Sequence, residues 1–508
     1  MDAAAVRGVS SGRAEARAGL VVESEILMRY FDLGVILLYL IGITWFGAHF
    51  RKSQKSLKDY FLGGRTTPWW AIGFSIVSAE TSTLTVIGTP ALSFHGNFGF
   101  LQVVFGYLLA RIVISLLFMP HYFRGELFTA YELMQRRFGP RLRRVTAGTF
   151  LLLRALAEGV RVFAISIVVS IVLGTGEIAS IVVIVCLTLF YTFEGGMTAV
   201  IWTDVVQMFL YVGGAIISLF VMLDQIHGGW HEVLRAAAAA GKLQVFDFRF
   251  EPTLEFLSRQ YSFWAGVLGG CFLTTASHGT EQLMVQRLLS AKNISDARKA
   301  LFGSWVVIFF QFTLFLVIGL ILWKHYQDTG AAPPQPADRI YPEFIWNSLP
   351  PGVSGLVIAA ILAAAMSNLS AALNSLASTT VMDFYRQKYR HHGESHYLRL
   401  ARLTTLVWGA VLLGIGVLSR HVKSVLEAGL GIASILYGAL LGVFLLGVLT
   451  TRVSERSAIA GMLAGLGVNL YLRFATPVAW TWYVLIGTVT TVAVSLAASP
   501  MLDREEAR

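Results

Sequence analysis

Apolar runs of about twenty residues, the length that a helix needs to cross the hydrocarbon core of a bilayer, recur from residue 29 almost to the end of the sequence. This repetition constrains the fold more than any other feature. The runs lie near 29–49, 69–92, 98–123, 145–174, 177–193, 198–225, 262–288, 298–325, 353–384, 400–419, 424–450, 456–475 and 478–499. They predict an all-α polytopic membrane protein with about thirteen transmembrane helices.

Composition agrees with a membrane protein. Hydrophobic residues make up 55% of the 508 residues and charged residues only 14%, which is not typical of a soluble chain. The net charge of +10 could indicate a nucleic-acid partner, but Lys and Arg concentrate in short connections between apolar runs. That distribution is typical of membrane orientation, so we expect membrane lipid around the protein and no nucleic acid.

The basic residues also predict the orientation. Dense clusters follow the first, third, seventh, ninth and eleventh runs, at 51–58, 124–144, 287–299, 386–402 and 452–456. All five connections fall on one side of the membrane, and by the positive-inside rule that side is the cytoplasm. We therefore expect a cell-membrane protein with its N-terminus outside and its C-terminus inside. Residues 1–27 lack a signal-peptide pattern and are expected to form a mobile tail.

The second run is polar at its centre. Polar residues that are not typical of a lipid-facing helix lie there: Ser78, Glu80, Thr81, Ser82, Thr83 and Thr85. Gly88 and Pro90 follow. Polar groups survive at membrane depth only where protein or a water-filled cavity surrounds them. We predict that this helix breaks near its midpoint and frees backbone groups for a ligand. The alternative is a buried helix whose hydroxyls bond back onto its own carbonyls.

The seventh run repeats this pattern. Its polar centre consists of Thr274, Thr275, Ser277, His278, Gly279 and Thr280. If each interrupted helix begins a five-helix unit, the units span 69–225 and 262–450, and an odd number of crossings makes them inverted repeats. The helix at 28–50 and the two C-terminal helices at 453–500 are then additions to a ten-helix core.

The ninth run carries a line of oxygen-bearing side chains. Ser367, Ser370, Asn374 and Ser378 recur at steps of three and four, so they share one helical face. A monovalent cation can exchange its water shell for such oxygens. The alternative is a polar stripe that serves helix packing.

The fourth run contains three charges at membrane depth. Arg154, Glu158 and Arg161 lie at i, i+4 and i+7. An intramembrane guanidinium can clamp the carboxylate of an organic anion. The same spacing also suits internal ion pairing. Arg111 in the third run is a weaker candidate of the same kind.

Five motifs occur in order along the chain: DYFLGGR at 59–65, ETSTLTVIG at 80–88, GGMTAVIWTDVVQ at 195–207, GTEQLMVQR at 279–287 and AAAMSNLSAALNSLASTTVMDFY at 363–385. Together they resemble the sodium/solute symporter family over about residues 55–450. The resemblance implies an inverted five-plus-five helix repeat. It also implies import of a small organic solute by alternating access, with Na+ as the coupling ion and no organic cofactor.

The resemblance places the sodium ligands on five residues. They are the carbonyls of Ser78, Thr81 and Ala364 and the side chains of Ser367 and Asn368. Familiar members have a serine or threonine where this chain has Asn368. The resemblance also places Asp204 near the ion path, together with Ser370, although Ala371 lacks a hydroxyl that some members have. The alternative for Asp204 is a carboxylate stabilised by the helix dipole.

The substrate is less constrained. Positions that bind sugar in the hexose-transporting branch hold Glu80, Val104 and Ile308 here, which favours an organic anion over a hexose. The substrate-binding candidates are Glu80, Thr85, Thr274, Ser277, His278, Glu158 and Arg161. A monomer is our starting expectation.

Other function classes have less support. The sequence contains no Walker or HExxH motif, and we expect no enzymatic activity. A proton-coupled transporter that uses Glu80 remains an alternative. A membrane sensor or receptor with a transporter fold is another.

Ser367→Ala tests the cation site on the ninth helix. The variant loses one hydroxyl from the predicted sodium shell, so we expect the half-saturating sodium concentration for uptake to rise by about ten- to hundredfold, or roughly 1.4 to 3 kcal/mol. Ser375→Ala, off the stripe, is the control and should behave like the wild type. Equal sodium dependence of the two variants at matched protein levels would remove Ser367 from the site.

Overall fold

The structure is a computed structural model that describes residues 29–43, 45–46, 65–124, 130–191, 197–251, 253–385, 388–389 and 394–502. Within these ranges every regular element is a helix, and Thr67 and Ala291 form an isolated β-bridge. The predicted tail at 1–27 lies outside the described residues.

Each of the thirteen predicted spans coincides with a helix or a helix pair in the described ranges. We label them in chain order as α1 (29–43), α2a (Trp69–Glu80) and α2b (Thr83–His95), α3 (Leu101–Tyr122), α4 (Pro140–Leu173), α5 (Glu177–Tyr191), α6 (Met197–Asp224), α7a (Phe263–Gly279) and α7b (Gln282–Leu289), α8 (Ile294–Thr329), α9 (Val353–Thr379), α10 (Glu394–Leu418), α11 (Val425–Leu449), α12 (Glu455–Ala475) and α13 (Tyr483–Leu502). Shorter helices at Ala130–Arg137, Gly229–Ala239 and Leu254–Ser258 lie in the connections.

Length and hydropathy support most of these spans directly. Nine unbroken helices among the described residues are long and apolar enough to cross a membrane, and α2a with α2b adds a tenth. The predicted spans that miss this criterion coincide with α1, α5 and the interrupted pair α7a–α7b. The prediction of an all-α polytopic membrane protein is confirmed.

Local sequence signals set several helix ends. The side chain of Asn293 accepts the Asp296 amide at the start of α8, and Ser424 accepts the Glu427 amide at the start of α11. These N-caps satisfy amides that have no partner within their helix. Gly330 ends α8 in the left-handed conformation, which glycine adopts without strain.

The α3–α7a contact is close enough to require glycine. A Cβ atom added at Gly106 of α3 would clash with the Val267 carbonyl of α7a, and one at Gly270 would clash with the Val103 carbonyl. Small residues let helix backbones approach in this way inside a membrane. This contact holds α3 and α7a together, and each helix contributes a side chain, Arg111 and His278, that contacts Glu80 at the first helix break.

The connection at 326–352 differs from its prediction. Five of its six prolines, at 333, 334, 336, 350 and 351, predict an extended loop, but α8 continues to Thr329 and a helix forms at Ile340–Ser348. Pro342 falls in the first turn of that helix, where a missing amide hydrogen costs no hydrogen bond. Ile340 and Phe344 are buried, so packing stabilises the helix. The prediction of a loop throughout this segment was wrong.

Asp338 lies in this connection, outside the membrane-spanning helices, and is 1% exposed. Its Oδ2 accepts the Val425 amide at 3.1 Å, at the start of α11. Its Oδ1 is buried and forms no hydrogen bond within the described residues. Burial, opposed by the Val425 hydrogen bond and reinforced by the nearby negative charge of Glu427, raises the pKa of the Asp338 carboxyl from 3.8 to about 6.

Asp338→Asn should make the protein more stable at neutral pH. Because the folded protein binds this proton more tightly than the unfolded chain does, stability falls as pH rises from about 4 to about 6 and stays lower above that. A shift of about two units corresponds to about 3 kcal/mol, which the neutral amide should recover at pH 8 but not near pH 4. Thermal unfolding of detergent-solubilised protein across this pH range measures the difference.

Asp247→Asn is a control for which the pH dependence of stability should have the opposite sign. Hydrogen bonds from Arg249 hold the pKa of the Asp247 carboxyl below its ordinary value. Its contribution to stability is therefore present at neutral pH and lost as pH falls. A uniform gain of stability at every pH in Asp338→Asn would contradict the assignment of a raised pKa.

Candidate functional site

The first predicted break lies between α2a and α2b, which meet at a bend of 63°. The Ser82 amide donates to the Glu80 carbonyl at 3.2 Å, and the Thr85 amide donates to the Ser82 carbonyl at 2.9 Å. In a straight helix these two amides would bond to the carbonyls of Ser78 and Thr81. The break thus frees two of the three carbonyls that were predicted to bind sodium.

The second break lies later than predicted. Thr274, Thr275, Ser277 and His278 all belong to α7a, and the helix is interrupted only at Thr280 and Glu281. The hydroxyl of Thr280 donates back to the Ala276 carbonyl at 2.7 Å. Polar side chains that bond to carbonyls of the preceding turn are compatible with a helix. The polar run therefore predicted correctly that the seventh span is interrupted, but it placed the interruption too early in the span.

Glu80, directly before the first break, joins α2a to α3 and α7a. Its Oε2 lies 3.1 Å from Arg111 Nη2 and 3.1 Å from His278 Nε2. Ser277 Oγ lies 2.8 Å from His278 Nδ1. The predicted substrate candidates Glu80, Ser277 and His278 therefore lie together, but they contact one another and Arg111.

Arg111 is a main partner of Glu80, although the sequence indicated it only as a weaker candidate for binding an anion. Its side chain is fully buried, and besides Glu80 it donates to the carbonyls of Leu301 at 3.0 Å and Tyr107 at 3.1 Å. The guanidinium is thus hydrogen-bonded on each of its three nitrogens. Its position inside an apolar run was the signal, because a charge at membrane depth needs a partner.

A second ion-pair network surrounds the second break. Arg154 of α4 lies 2.8 Å from Glu281 and 3.3 Å from Glu158, and Arg161 also pairs with Glu158. The Tyr437 hydroxyl of α11 donates to Glu281. The internal pairing that the spacing allowed is therefore present. Glu281 was not singled out in the sequence, although it is an intramembrane charge in the motif at 279–287.

Arg161 differs from Arg154 in exposure. Its side chain is 26% exposed, against 6% for Arg154. Arg161 Nη1 holds Glu158, and its Nε forms no hydrogen bond within the described residues. Nε is buried, so the exposed part of this side chain lies elsewhere, and Glu158 is the only hydrogen-bond partner of the guanidinium among the described residues.

Asp204, predicted on the ion path, is 5% exposed. It lies 3.0 Å from Arg287 Nη2 and accepts the hydroxyl of Ser75 at 2.6 Å. This contact joins α6, α7b and α2a. Arg287, counted among the basic residues of a connection, is 2% exposed in α7b. A positive charge therefore already neutralises Asp204.

The remaining candidates lie on α2b, α7a and α9. Thr85 and Thr274 are 3% and 2% exposed. The backbone of α9 is continuous through Ala364 and packs against α2b, α4 and α6. Asn368 and Ser370 are partly buried on this helix. The side chain of Ser367 lies outside the described part of the chain.

A family profile described as sodium:solute symporter family matches residues 60–465. The chain belongs to the sodium:solute symporter family. The symporter is 28% identical to a sodium/sialic acid symporter of Aliivibrio fischeri, over 91% of this chain and 92% of that protein. It is 26% identical to the human sodium-coupled monocarboxylate transporter 2, over 90% of this chain and 75% of that protein.

Solved structures agree with this assignment. A sodium-coupled sialic acid symporter in a substrate-bound, outward-open state matches with a TM-score of 0.80 and 26% identity, over 93% of this chain and 98% of that one. A nucleobase-cation-symport-1 family transporter in a closed conformation matches with a TM-score of 0.54 and 12% identity, over 87% of this chain and 94% of that one, so only the fold is comparable. The inverted-repeat fold and sodium-coupled symport are therefore both confirmed.

Arg111→Met should strongly destabilise the symporter. The variant leaves Glu80 without its buried guanidinium, and removing one partner of a buried pair costs about 3 to 5 kcal/mol. Arg235→Met is the control, because Arg235 is 73% exposed and pairs with Glu232 at the surface. Thermal unfolding in detergent should show a large loss for Arg111→Met and almost none for Arg235→Met. Similar midpoints for the two variants would contradict a structural role of the Glu80–Arg111 pair.

Proposed function

We propose that this symporter imports a small organic anion with a carboxylate group, driven by the sodium gradient. The observation that carries the proposal is the partly exposed guanidinium of Arg161, which Glu158 holds through Nη1 alone among the described residues. A guanidinium can bind a carboxylate through two parallel hydrogen bonds, which a point charge cannot reproduce. The names of the relatives agree, since they include transporters of monocarboxylates and of sialic acid, which are also organic anions.

Arg161 suits this role better than the other intramembrane arginines. Arg111 is fully buried and hydrogen-bonded on every nitrogen, and Arg154 lies between two carboxylates. Arg161 pairs with Glu158 through one nitrogen and keeps a partly exposed side chain. Glu158 orients the guanidinium in this arrangement, while the solute carboxylate takes guanidinium nitrogens that Glu158 does not hold.

The freed carbonyls at the first break support sodium as the coupling ion. Ser78 and Thr81 offer neutral oxygens that their own helix does not use, and such oxygens suit a monovalent cation. Ala364, Ser367 and Asn368 on α9 complete the proposed site. Bound sodium would supply a positive charge that joins α2 to α9, and each ligand then raises the affinity for the other.

The surroundings of Glu80 favour sodium over protons. Its carboxylate contacts the Arg111 guanidinium and His278. Both partners hold Oε2 between α2a, α3 and α7a, so this carboxylate serves a contact between helices. We place the protein in the cell membrane with its N-terminus outside and its C-terminus in the cytoplasm, and we propose that it works as a monomer, without enzymatic activity or an organic cofactor.

Uptake into proteoliposomes tests the proposal. Labelled monocarboxylates, sialic acid, amino acids and hexoses are supplied with an inward sodium gradient, with a pH gradient alone, or with neither. We expect uptake of carboxylate anions only with sodium. Equal uptake with the pH gradient alone would show that protons, not sodium ions, drive transport. Uptake of hexoses in preference to anions would overturn the proposal that the solute is an organic anion.

Arg161→Lys is the matched variant for this experiment. Loss of the two-bond contact, at about 1.5 to 3 kcal/mol, should weaken solute affinity by about ten- to hundredfold. Sodium binding without solute should persist. Arg235→Lys, at the surface, should transport like the wild type. An unchanged solute affinity in Arg161→Lys would remove this residue from the solute site.

A further inference from the structure

The connection between α6 and α7a contains three phenylalanines that alternate with charged residues. They are Phe246, Phe248 and Phe250, in the sequence FDFRF at 246–250, which we call the FDFRF segment. The segment is not helical. All three rings are exposed, Phe248 by 61% and Phe250 by 63%. Exposed apolar rings side by side indicate a surface that contacts a partner other than water.

The rings continue onto membrane-spanning helices. Between ring centroids, Phe248 lies 5.4 Å from Phe246 and 4.8 Å from Phe263 at the start of α7a. Phe246 stacks on Phe105 of α3 at 5.6 Å, and Phe105 lies 5.4 Å from Phe309 of α8. The exposed rings of the segment are therefore continuous with an aromatic surface of α3 and α8.

Phe105 lies on the lipid-facing side of α3. Leu109, Ile112 and Leu116 follow it at successive steps of four, three and four, so the four side chains share one helical face. The last three are exposed. An exposed apolar stripe on a helix that crosses the membrane faces hydrocarbon. Phe246 therefore covers one end of the lipid-facing stripe of α3.

The first break gives the depth of these rings. It separates half-helices of 12 and 13 residues and so marks the middle of the membrane. Arg111 lies at this level, because it contacts Glu80 beside the break and the Leu301 carbonyl of α8. At the helical rise per residue, Phe105 lies about 9 Å above Arg111 and Phe309 about 12 Å above Leu301, toward the connection. Half of the hydrocarbon core is about 15 Å thick, so the FDFRF segment beside these rings lies at its boundary.

The charges of the segment are compatible with this boundary. Both side-chain oxygens of Asp247 accept hydrogen bonds from Arg249, at 2.8 and 2.7 Å. Paired charges of opposite sign cost less free energy near hydrocarbon than free charges do. The Arg249 side chain is also exposed, so its guanidinium can reach a lipid phosphate.

The backbone of the segment is fastened to the ends of both interrupted helices. The Phe98 amide, just after α2b, donates to the Gln244 carbonyl at 3.1 Å, and the Phe263 amide of α7a donates to the Asp247 carbonyl at 2.8 Å. The Asp247 amide donates to the side chain of Gln102 on α3 at 3.0 Å. Polar backbone groups beside hydrocarbon need partners of this kind.

We propose that the FDFRF segment is a membrane anchor, whose phenylalanine rings insert among the lipids of the leaflet on their own side. In the orientation proposed above this is the outer leaflet. Lipid is the partner because the rings extend a surface that lipid already covers on α3, at the depth where aromatic side chains concentrate. Through its backbone hydrogen bonds the anchor fixes the depth of the outer ends of α2b and α7a.

Spin labels on single cysteines test the anchor. In the symporter with Cys186 and Cys271 replaced by alanine, Phe248→Cys and Phe250→Cys each receive a nitroxide, and the protein is reconstituted into phosphatidylcholine vesicles. Power saturation in electron paramagnetic resonance measures collisions with molecular oxygen, which concentrates in hydrocarbon, and with a nickel chelate, which stays in water. We expect oxygen collisions to dominate at both positions. The two positions report independently, so the test remains if one variant fails to fold.

Two reference positions bracket the expected result. Leu116→Cys, on the lipid-facing stripe of α3, should favour oxygen, and Arg235→Cys, exposed in the same connection as the segment, should favour the nickel chelate. The labels at 248 and 250 should resemble the first reference. Nickel collisions as frequent as at Arg235→Cys would place the segment in water. Few collisions with either reagent would show that protein, such as a second copy of this chain, covers it. Either result would overturn the proposal.

Brominated lipids measure the depth independently. A bimane fluorophore at Phe248→Cys should be quenched more by bromine near the headgroup end of the acyl chains than by bromine near their termini, because the segment lies at the boundary. Bimane at Leu116→Cys, closer to the middle of the membrane, should show the reverse order. No quenching at Phe248→Cys by either lipid would overturn the anchor, and stronger quenching by the terminal bromine would overturn the proposed depth. Neither measurement involves sodium or solute, so both are independent of the proposed function.

Discussion

The compensation of buried charge at the two helix breaks is the interaction on which the rest of the structure depends. A break at membrane depth exposes backbone groups that hydrocarbon cannot satisfy. In this chain each break also has a glutamate next to it, Glu80 at the first and Glu281 at the second. An arginine from a neighbouring helix pairs with each of them, Arg111 with Glu80 and Arg154 with Glu281. The breaks are therefore fixed from outside their own helices.

This arrangement relates the binding hypotheses to one another. The Glu80 network keeps the first break in place and leaves the carbonyls of Ser78 and Thr81 free for a cation. The Glu281 network holds Arg154 and, through Glu158, positions Arg161, the residue that we propose for solute binding. The same kind of ion pair thus supports both ligands, while the groups that would contact the ligands are neutral oxygens and one partly exposed guanidinium.

The sequence predicted the helices and the kind of site better than it predicted the contacts. Apolar length located the spans, and the polar centre of the second run located the first break, because both signals are local. The partner of a charge is not local. Asp204 and Arg287 are 83 positions apart, and only the packing of α6 and α7b against α2a brings them together. The second break was misplaced because Thr274 and Ser277 are polar and still helical.

The contact of Asp204 with Ser75 and Arg287 has a consequence for how the protein can move. One carboxylate on α6 holds a hydroxyl from α2a and a guanidinium from α7b. If either half-helix left alone, the carboxylate would remain buried with half of its partners. We therefore expect α2a and α7b to leave together, which would keep a half-open form rare and limit the passage of sodium without its solute. Tight coupling would then follow from one shared acceptor and would need no separate gate.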